Sequence, residues 1–475
     1  MSENNSVKRA ALINAAGKYS KVLIAIIINS ILARILSADD YGVVAVITVF
    51  STFFATFSDM GFGPAIIQNK NLTTKDIDNI YSFTVYLSFI LMILFIGSSY
   101  PISIFYENKA YIWLGILLSF SLLFDSLNMV PNGILNRDKR FILISIRIII
   151  VYSISASLTV VLALLGFRYY ALAIQSITTA FMTFTWNYIT TRPKFNVRFK
   201  FSSIKKVLNY SSYQFAFNMV NYFSKNLDNL LTGKFMGDAN LGYYNKAYTL
   251  MLYPVDNLTG VVTPVLHPIL ADYQREIKII YDKYIRIFKI LFCIGNFVAP
   301  FCYLAATEII YIMYGANWNK SVICFQVLSL AIIPQMLNAI SGGVFQAIGD
   351  TRLLFLNGCI NTIITVIGIL VGIFYGKSIL MLSVCIAIAY IIQLITTSYI
   401  LIKVGFEYRI REFFEYIKHE LIILVGMIIA VVIYKFAFTN ILLSFTVKFL
   451  YLGAIYIILL FVTREYKLFV SFIKR

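Results

Sequence analysis

Six side chains in one stretch are spaced for joint chemistry. Asn218, Asn221, Lys225, Asp228, Asn229 and Thr232 step by three or four residues, which places them on one face of a helix. The sequence around them is apolar, so this face reads as the polar wall of a water-filled cavity. Lys225 and Asp228, three apart, can pair with each other, and Lys225 can face an anionic group. Further cations stand in or beside apolar runs: Arg147, Arg34, Lys234 and, one turn into its run, Lys246. Arg286 and Lys289 open another run and read as interfacial anchors. Four carboxylates, Asp59, Asp125, Asp228 and Asp256, also fall within apolar runs. A carboxyl in such surroundings can carry a proton or hold Na⁺, and Asp59 and Asp228 are the candidates for ion coupling. Asp59 precedes Gly61-Phe62-Gly63-Pro64, where a helix must bend or open.

Catalytic and metal chemistry find little support. The two histidines, His267 and His419, cannot form a histidine metal cluster, and the five cysteines (Cys293, Cys302, Cys324, Cys359, Cys385) lie in apolar runs without CxxC spacing. No cofactor is expected. Gly372-x3-Gly376-Lys377-Ser378 imitates a phosphate loop but is one residue short. Gly368-x3-Gly372-x3-Gly376 reads better as a close helix-packing face.

The elements that must carry these residues follow from composition. Of 475 residues, 60% are apolar and 13% charged, about half the charge of a soluble domain. Apolar runs near 20–36, 43–66, 80–100, 110–130, 142–165, 169–190, 209–232, 243–270, 286–306, 321–347, 353–374, 379–402, 420–438 and 441–463 predict fourteen transmembrane helices. They do not alternate with period two, which excludes a β-barrel. The net charge of +18 would suggest nucleic acid in a soluble protein; here most Lys and Arg sort to alternate loops, as cytoplasmic loops require. Both termini are then cytoplasmic, and no nucleic-acid partner is expected. No cleavage site follows the first run, which reads as a span and not as a removed signal.

An internal repeat organises the spans. A shift of 200 residues sets Arg34 on Lys234, Asn29 on Asn229, Gly42 on Gly242 and Pro64 on Pro264. Ser37-Ala-Asp-Asp-Tyr-Gly42 matches Gly237-Asp-Ala-Asn-Leu-Gly242. Asn128-x4-Gly133 recurs as Asn338-x4-Gly343, each ahead of a short basic turn, Asp138-Lys-Arg140 and Asp350-Thr-Arg352. Each half holds six spans, so the repeat is parallel, with its axis along the membrane normal. The divisions are 1–200, 201–402 and a pair of extra helices at 403–475. The basic stretch Thr191 to Lys206 reads as the hinge between halves. Prolines in spans two and eight predict paired kinks suited to alternating access.

Leu208-Asn-Tyr-Ser-Ser-Tyr-Gln-Phe, Gly242-Tyr-Tyr-Asn-Lys-Ala-Tyr248, Pro264-Val-Leu-His-Pro268 and Phe57-Ser-Asp-Met-Gly-Phe-Gly63 with Ile66-Ile-Gln68 resemble the Wzx-type oligosaccharide flippases, nearest the colanic-acid and teichuronic-acid exporters. The resemblance covers most of the chain and is diffuse. It implies the multidrug/oligosaccharidyl-lipid/polysaccharide exporter superfamily: an all-α, polytopic protein of two six-helix lobes around a V-shaped central cavity. Spans 13 and 14 would then resemble the lipid-tail groove of the related lipid II flippase. The implied function is flipping of undecaprenyl-diphosphate-linked oligosaccharide across the bacterial cytoplasmic membrane, with Arg34, Arg147, Lys225, Lys234 and Lys246 as contacts for diphosphate or acidic sugar. Polymerase and glycosyltransferases of the same pathway are the partners implied, beside membrane lipids. A cation-coupled multidrug antiporter of the same superfamily is the alternative. A membrane-embedded glycosyltransferase would need a longer outer loop than any here.

Overall fold

The computed structural model describes residues 2–59, 62–69, 71–271, 273 and 276–468; side chains are described except at 2–18, 59, 64, 68, 206–221, 223, 224, 261–269, 271 and 351. The chain divides into two compact units, Met1–Gly242 and Tyr243–Arg475. The first holds α1 (Ser2–Ile35), α2 (Ala38–Asp59), α3 (Phe62–Gln68), α4 (Thr74–Tyr106), α5 (Ala110–Arg137), α6 (Phe141–Leu164), α7 (Tyr169–Thr191), α8 (Phe201–Met236) and the start of α9 (Asp238–Ala271). The second holds the rest of α9, then α10 (Ile277–Leu304), α11 (Ala306–Tyr314), α12 (Asn319–Ser329), α13 (Ile332–Ala339), α14 (Ser341–Ile348), α15 (Thr351–Leu370), α16 (Ile379–Tyr399), α17 (Ile410–Ile433) and α18 (Ile441–Thr463). There is no strand among the described residues.

Among the described residues, each of the fourteen apolar runs falls mainly on helix, although 420–438 runs past the end of α17 at Ile433. The run 43–66 is carried by α2 and α3, and 321–347 by a pair bent by 53° at a short break. By length and apolarity, nine helices among the described residues qualify as spans, or ten with the bent pair as one. α1, α7, α8 and α9 are not among the nine, and α8 and α9 carry most of the polar residues singled out above. Residues 261–269 of α9, with Pro264 and Pro268, lie outside the described side chains, as does the expected kink there.

Local chemistry sets the helix ends. At α4, Thr73 Oγ1 accepts from the Asp76 N–H at 3.2 Å, and the Asp76 carboxylate accepts from the Thr73 N–H at 3.1 Å. Ser37 and Asp40 make the same reciprocal pair at the start of α2, at 3.2 and 3.0 Å. Such a capping box satisfies two amide donors that the first turn would leave orphaned. The glycine stripe behaves as read: a Cβ on Gly372 would lie 2.7 Å from Leu382 Cα, and one on Gly368 would lie 3.2 Å from Cys385 O, so α15 and α16 pack backbone to backbone there.

The stretch 191–206 is bonded to α4 along its length. After α7 ends, the Lys194 N–H donates to Asp78 Oδ1 at 2.8 Å, and the Asn196 N–H to Ser82 Oγ at 2.9 Å. Tyr86 donates to Val197 O at 3.2 Å, and Ser203 donates to Asp76 Oδ1 at 2.7 Å. Side chains on one face of α4 supply partners for its extended backbone. In the second unit, α10, α17 and α18 share a dry seam of Cys293, Ile423, Met427 and Leu452, flanked by the stacked rings of Phe297 and Phe301. The two extra helices are therefore packed against the bundle.

Candidate functional site

The charged helix ends of the first unit are mutually engaged. Arg34, in the last turn of α1, donates to Ser30 O at 2.7 Å and to the Ser30 hydroxyl. Lys234, in the last turn of α8, pairs with Glu107 at 2.9 Å and lies 5.2 Å from the Phe105 ring centre. The Lys234 hydrogen bond and charge hold the Glu107 carboxyl below its ordinary range. Beside this pair, Asp238 opens α9 and accepts from the Tyr111 hydroxyl at 2.6 Å and the Asn108 amide at 3.0 Å. Arg168 ties the α6–α7 turn to α2 through Asp40 at 3.0 Å. Lys234 is thus a latch between α8 and the α4–α5 turn. Arg34 bonds within its own helix, and Lys234 bridges to Glu107.

Arg147 lies six residues into α6, about 9 Å along the helix from its start, and is 6% exposed. Its guanidinium donates to Asn187 Oδ1 on α7 and to Asn132 Oδ1 on α5 at 3.5 Å; the Asn187 amide in turn donates to Asn128 Oδ1 at 2.7 Å. No carboxylate lies within ion-pair distance of it among the described residues, so amide dipoles alone balance its charge. A shift of 210 residues carries Asn128, Arg147 and Asn187 onto Asn338, Asn357 and Thr397. Thr397 donates to Asn357 Oδ1 at 3.0 Å, with Asn361 and Gln393 beside them. The two halves therefore repeat a buried polar pair across equivalent helices, charged in the first and neutral in the second. Asn187 escaped the sequence reading, although the Asn128/Asn338 match points at it once the shift is applied along the chain.

Lys225 is exposed whereas Asp228 is 3% exposed, so the pair read from their spacing is not formed. Asp228 accepts from the Asn229 backbone N–H at 2.8 Å. The side chains of Asn218, Asn221 and Asp59 lie outside the described residues. Lys246 belongs to the second unit, is 7% exposed, and stands 5.2 Å from the Tyr314 ring centre. Asp125 is exposed and lines an open pocket of about 360 Å³ walled by residues of the first unit. Its neighbours there escaped notice, although Thr48-x2-Ser51-Thr52, Ser121-x3-Asp125 and Gln175-Ser176-x2-Thr179 each have helical spacing.

Lys289 is no headgroup anchor. Its ammonium sits 3.2 Å from Glu420 on α17 and 3.1 Å from Glu465 past the end of α18, and His419 meets Glu465 at 3.0 Å. One turn past α10, Glu308 accepts from Lys448 at 2.6 Å and from Ser444 at 2.7 Å. Charge thus fastens the last two helices at both ends of the seam.

Residues 31–323 match the family described as polysaccharide biosynthesis protein. Among individual relatives, the teichuronic acid biosynthesis protein TuaB of Bacillus subtilis (strain 168) is 24% identical over 311 residues, 62% of this chain and 62% of its own. The lipopolysaccharide biosynthesis protein WzxC of Escherichia coli (strain K12) is 23% identical over 380 residues, covering 75% of this chain and 74% of its own. The match to TuaB therefore spans about three-fifths of that relative's length. In fold, the chain is similar to the lipid II flippase MurJ in an inward closed conformation, with a TM-score of 0.75, 15% identity, and coverage of 96% and 99% of the two chains. It is also similar to an inward-facing MATE family multidrug resistance transporter of the MOP superfamily, with a TM-score of 0.63, 17% identity, and coverage of 84% and 96%. With well over half of its length in the family match, the chain belongs to the polysaccharide biosynthesis protein family.

Proposed function

We propose that the protein is a flippase for undecaprenyl-diphosphate-linked oligosaccharide in the bacterial cytoplasmic membrane, working by alternating access during surface polysaccharide biosynthesis. The observation that carries this reading is the coincidence of two likenesses. Relatives named for teichuronic acid and lipopolysaccharide biosynthesis match in sequence, and a lipid II flippase matches in fold over nearly the whole chain. The physics agrees. A diphosphate and a hydrated glycan cannot cross hydrocarbon unaided, so polar and cationic groups inside the membrane must replace their water. In this reading both termini are cytoplasmic, residues 1–200 and 201–402 act as lobes about a central cavity, and α17 and α18 border the lipid tail. Polymerase and glycosyltransferases of the same pathway are its partners.

Arg34, Arg147, Lys225, Lys234 and Lys246 remain the cations proposed for the diphosphate or acidic sugar, with Lys225 first. It is exposed and has no ion pair among the described residues, whereas Lys234 is held by Glu107 and Arg147 by amides. Asp59 and Asp228 remain proposed coupling groups. The experiment is a deletion strain whose polyprenyl lipids are extracted and identified by mass spectrometry while surface glycan is assayed. Accumulated diphosphate-linked repeat units without surface glycan are expected, with full rescue by the wild-type gene and poor rescue by Lys225→Ala at equal protein level. Unchanged lipid pools and normal glycan, in a strain lacking redundant flippases, would overturn the proposal in favour of a drug/cation antiporter.

A further inference from the structure

The segment that joins α7 to α8 carries unbalanced charge. Arg192, Lys194, Arg198 and Lys200 lie in it, Lys205 follows in the first turns of α8, and no Asp or Glu occurs between Asp138 and Asp228. All five cations are exposed, and none forms an ion pair among the described residues. Other basic segments bring their own acids: Asp282 lies between Lys278 and Lys283, and Arg411 pairs with Glu415 at 3.4 Å. The two carboxylates bonded to this segment and to the start of α8 are buried and already engaged. Asp78 accepts from the Lys194 N–H and Asp76 from the Ser203 hydroxyl, while the Lys200 N–H donates to Asn79 Oδ1 at 3.3 Å. A cytoplasmic loop needs only to contain its cations. Here α4 also holds their backbone, so they form a fixed row.

The row lies at the level of headgroups. α4 has 33 residues, about 50 Å of helix, against about 30 Å of hydrocarbon. The segment bonds to its first turns, where Thr74, Lys75, Asp76, Asp78 and Asn79 are too polar for hydrocarbon. Apolar side chains stand between the cations: Phe195, Val197 and Phe201 are 45%, 73% and 59% exposed. The rings of Phe195 and Phe199 each lie 5.8 Å from that of Tyr86 on α4. Water would suit the cations but not these side chains, and hydrocarbon the reverse. An anionic headgroup with its acyl chains meets both.

We propose that the α7–α8 segment is a docking strip for anionic phospholipid, with headgroup phosphates on Lys194, Arg198 and Lys200 and acyl chains against Phe195, Val197 and Phe201. Each such cation near an anionic bilayer surface contributes about fivefold in affinity. The strip rests on the chain's place in a membrane and not on the flippase reading, so a deletion strain with normal glycan would leave it standing.

Purified full-length protein in dodecyl maltoside is titrated with dioleoyl phosphatidylglycerol or dioleoyl phosphatidylcholine, and bound lipid is counted by native mass spectrometry. Wild type should bind phosphatidylglycerol about tenfold or more tightly than phosphatidylcholine, a preference that falls at high salt. Lys194→Gln/Arg198→Gln/Lys200→Gln should lose about tenfold to a hundredfold of phosphatidylglycerol affinity and keep its binding of phosphatidylcholine. Lys377→Gln/Lys418→Gln/Lys435→Gln, which removes equal charge from exposed positions elsewhere, should bind as wild type does. Equal losses in the two triple variants would make the effect one of net charge and overturn the strip. So would wild-type protein without a preference, a result that needs no variant to fold. Tighter binding of farnesyl diphosphate than of phosphatidylglycerol, lost with the same three cations, would give the row to the diphosphate of a lipid-linked substrate and overturn the phospholipid.

Discussion

Gly42 and Gly242 meet each other's helices reciprocally within the first unit. A Cβ on Gly42 would lie 1.8 Å from the Asp238 carbonyl oxygen, and a Cβ on Gly242 would lie 1.9 Å from the Ala38 carbonyl oxygen. Residues 38 and 238, like 42 and 242, are repeat mates at a shift of 200. The starts of α2 and α9 therefore cross about a local two-fold relation, backbone against backbone. A methyl group here meets carbonyl oxygens, which cannot rotate aside as a side chain would. Gly42→Ala and Gly242→Ala should each force the helix starts apart and destabilise the protein by about 1–3 kcal/mol, the usual range for overpacking. Thermal unfolding in detergent, followed by fluorescence-detected size exclusion, measures this; wild-type midpoints for both variants would show that the crossing yields freely.

The equivalence of Arg147–Asn187 with Asn357–Thr397 gives a second prediction. Arg147→Ala leaves the amide oxygens of Asn132 and Asn187 without their donor, at a cost of about 1–3 kcal/mol. The second unit supplies a neutral replacement, so the double variant Arg147→Asn/Asn187→Thr should recover much of that stability. Export in the double variant then isolates the charge. Lost export at normal protein level assigns the guanidinium a functional role, and normal export makes it a packing cation. A double variant no more stable than Arg147→Ala would mean the equivalence is only positional.

What was readable from sequence depended on how far apart the cooperating residues lie. The fourteen runs, the glycine stripe of α15 and the Gly42/Gly242 match are local or periodic, and the fold keeps them. The cavity at Asp125 was half legible: each polar stripe has helical spacing, but only tertiary packing brings α2, α5 and α7 to one space. Lys289 looked like a headgroup anchor because it opens an apolar run and its partners, Glu420 and Glu465, lie more than 130 residues away. The same distance hid the pinning of 191–206, whose partners Asp78 and Ser82 belong to the unremarkable start of α4. Spacing proposed a Lys225–Asp228 pair that the helix does not form, since i, i+3 geometry permits a contact without requiring it.

Acid should loosen the Lys234–Glu107 latch. The folded-state carboxyl of Glu107 is held below its ordinary value of 4.5 by Lys234, so the pair's stabilisation is present above that value and fades as pH falls through the lower folded one. Glu107 is exposed, so solvent screens the pair and its effect is small. The expected result is a modest gap in unfolding midpoint between wild type and Glu107→Gln at pH 7 that closes as the pH falls below the ordinary carboxyl range. A gap that persists unchanged at low pH would assign the stabilisation to packing of Lys234 on Phe105.

Lys289 bears on whether the last two helices stay docked. Glu420 is fully buried and Glu465 nearly so, and removing their shared cation leaves two carboxylates facing each other with little water. Lys289→Ala should therefore destabilise the protein by about 3–5 kcal/mol, as breaking a buried pair does. Replacing the charges together, as Lys289→Met with Glu420→Gln and Glu465→Gln, should restore most of the loss, because the seam of Cys293, Ile423, Met427 and Leu452 remains to hold α17 and α18. Limited proteolysis between α16 and α17 gives a readout that overall unfolding does not: the single variant should be cut faster and the triple variant near the wild-type rate. If the single variant is cut no faster, the aromatic and aliphatic seam alone docks these helices and the ion cluster serves some other end.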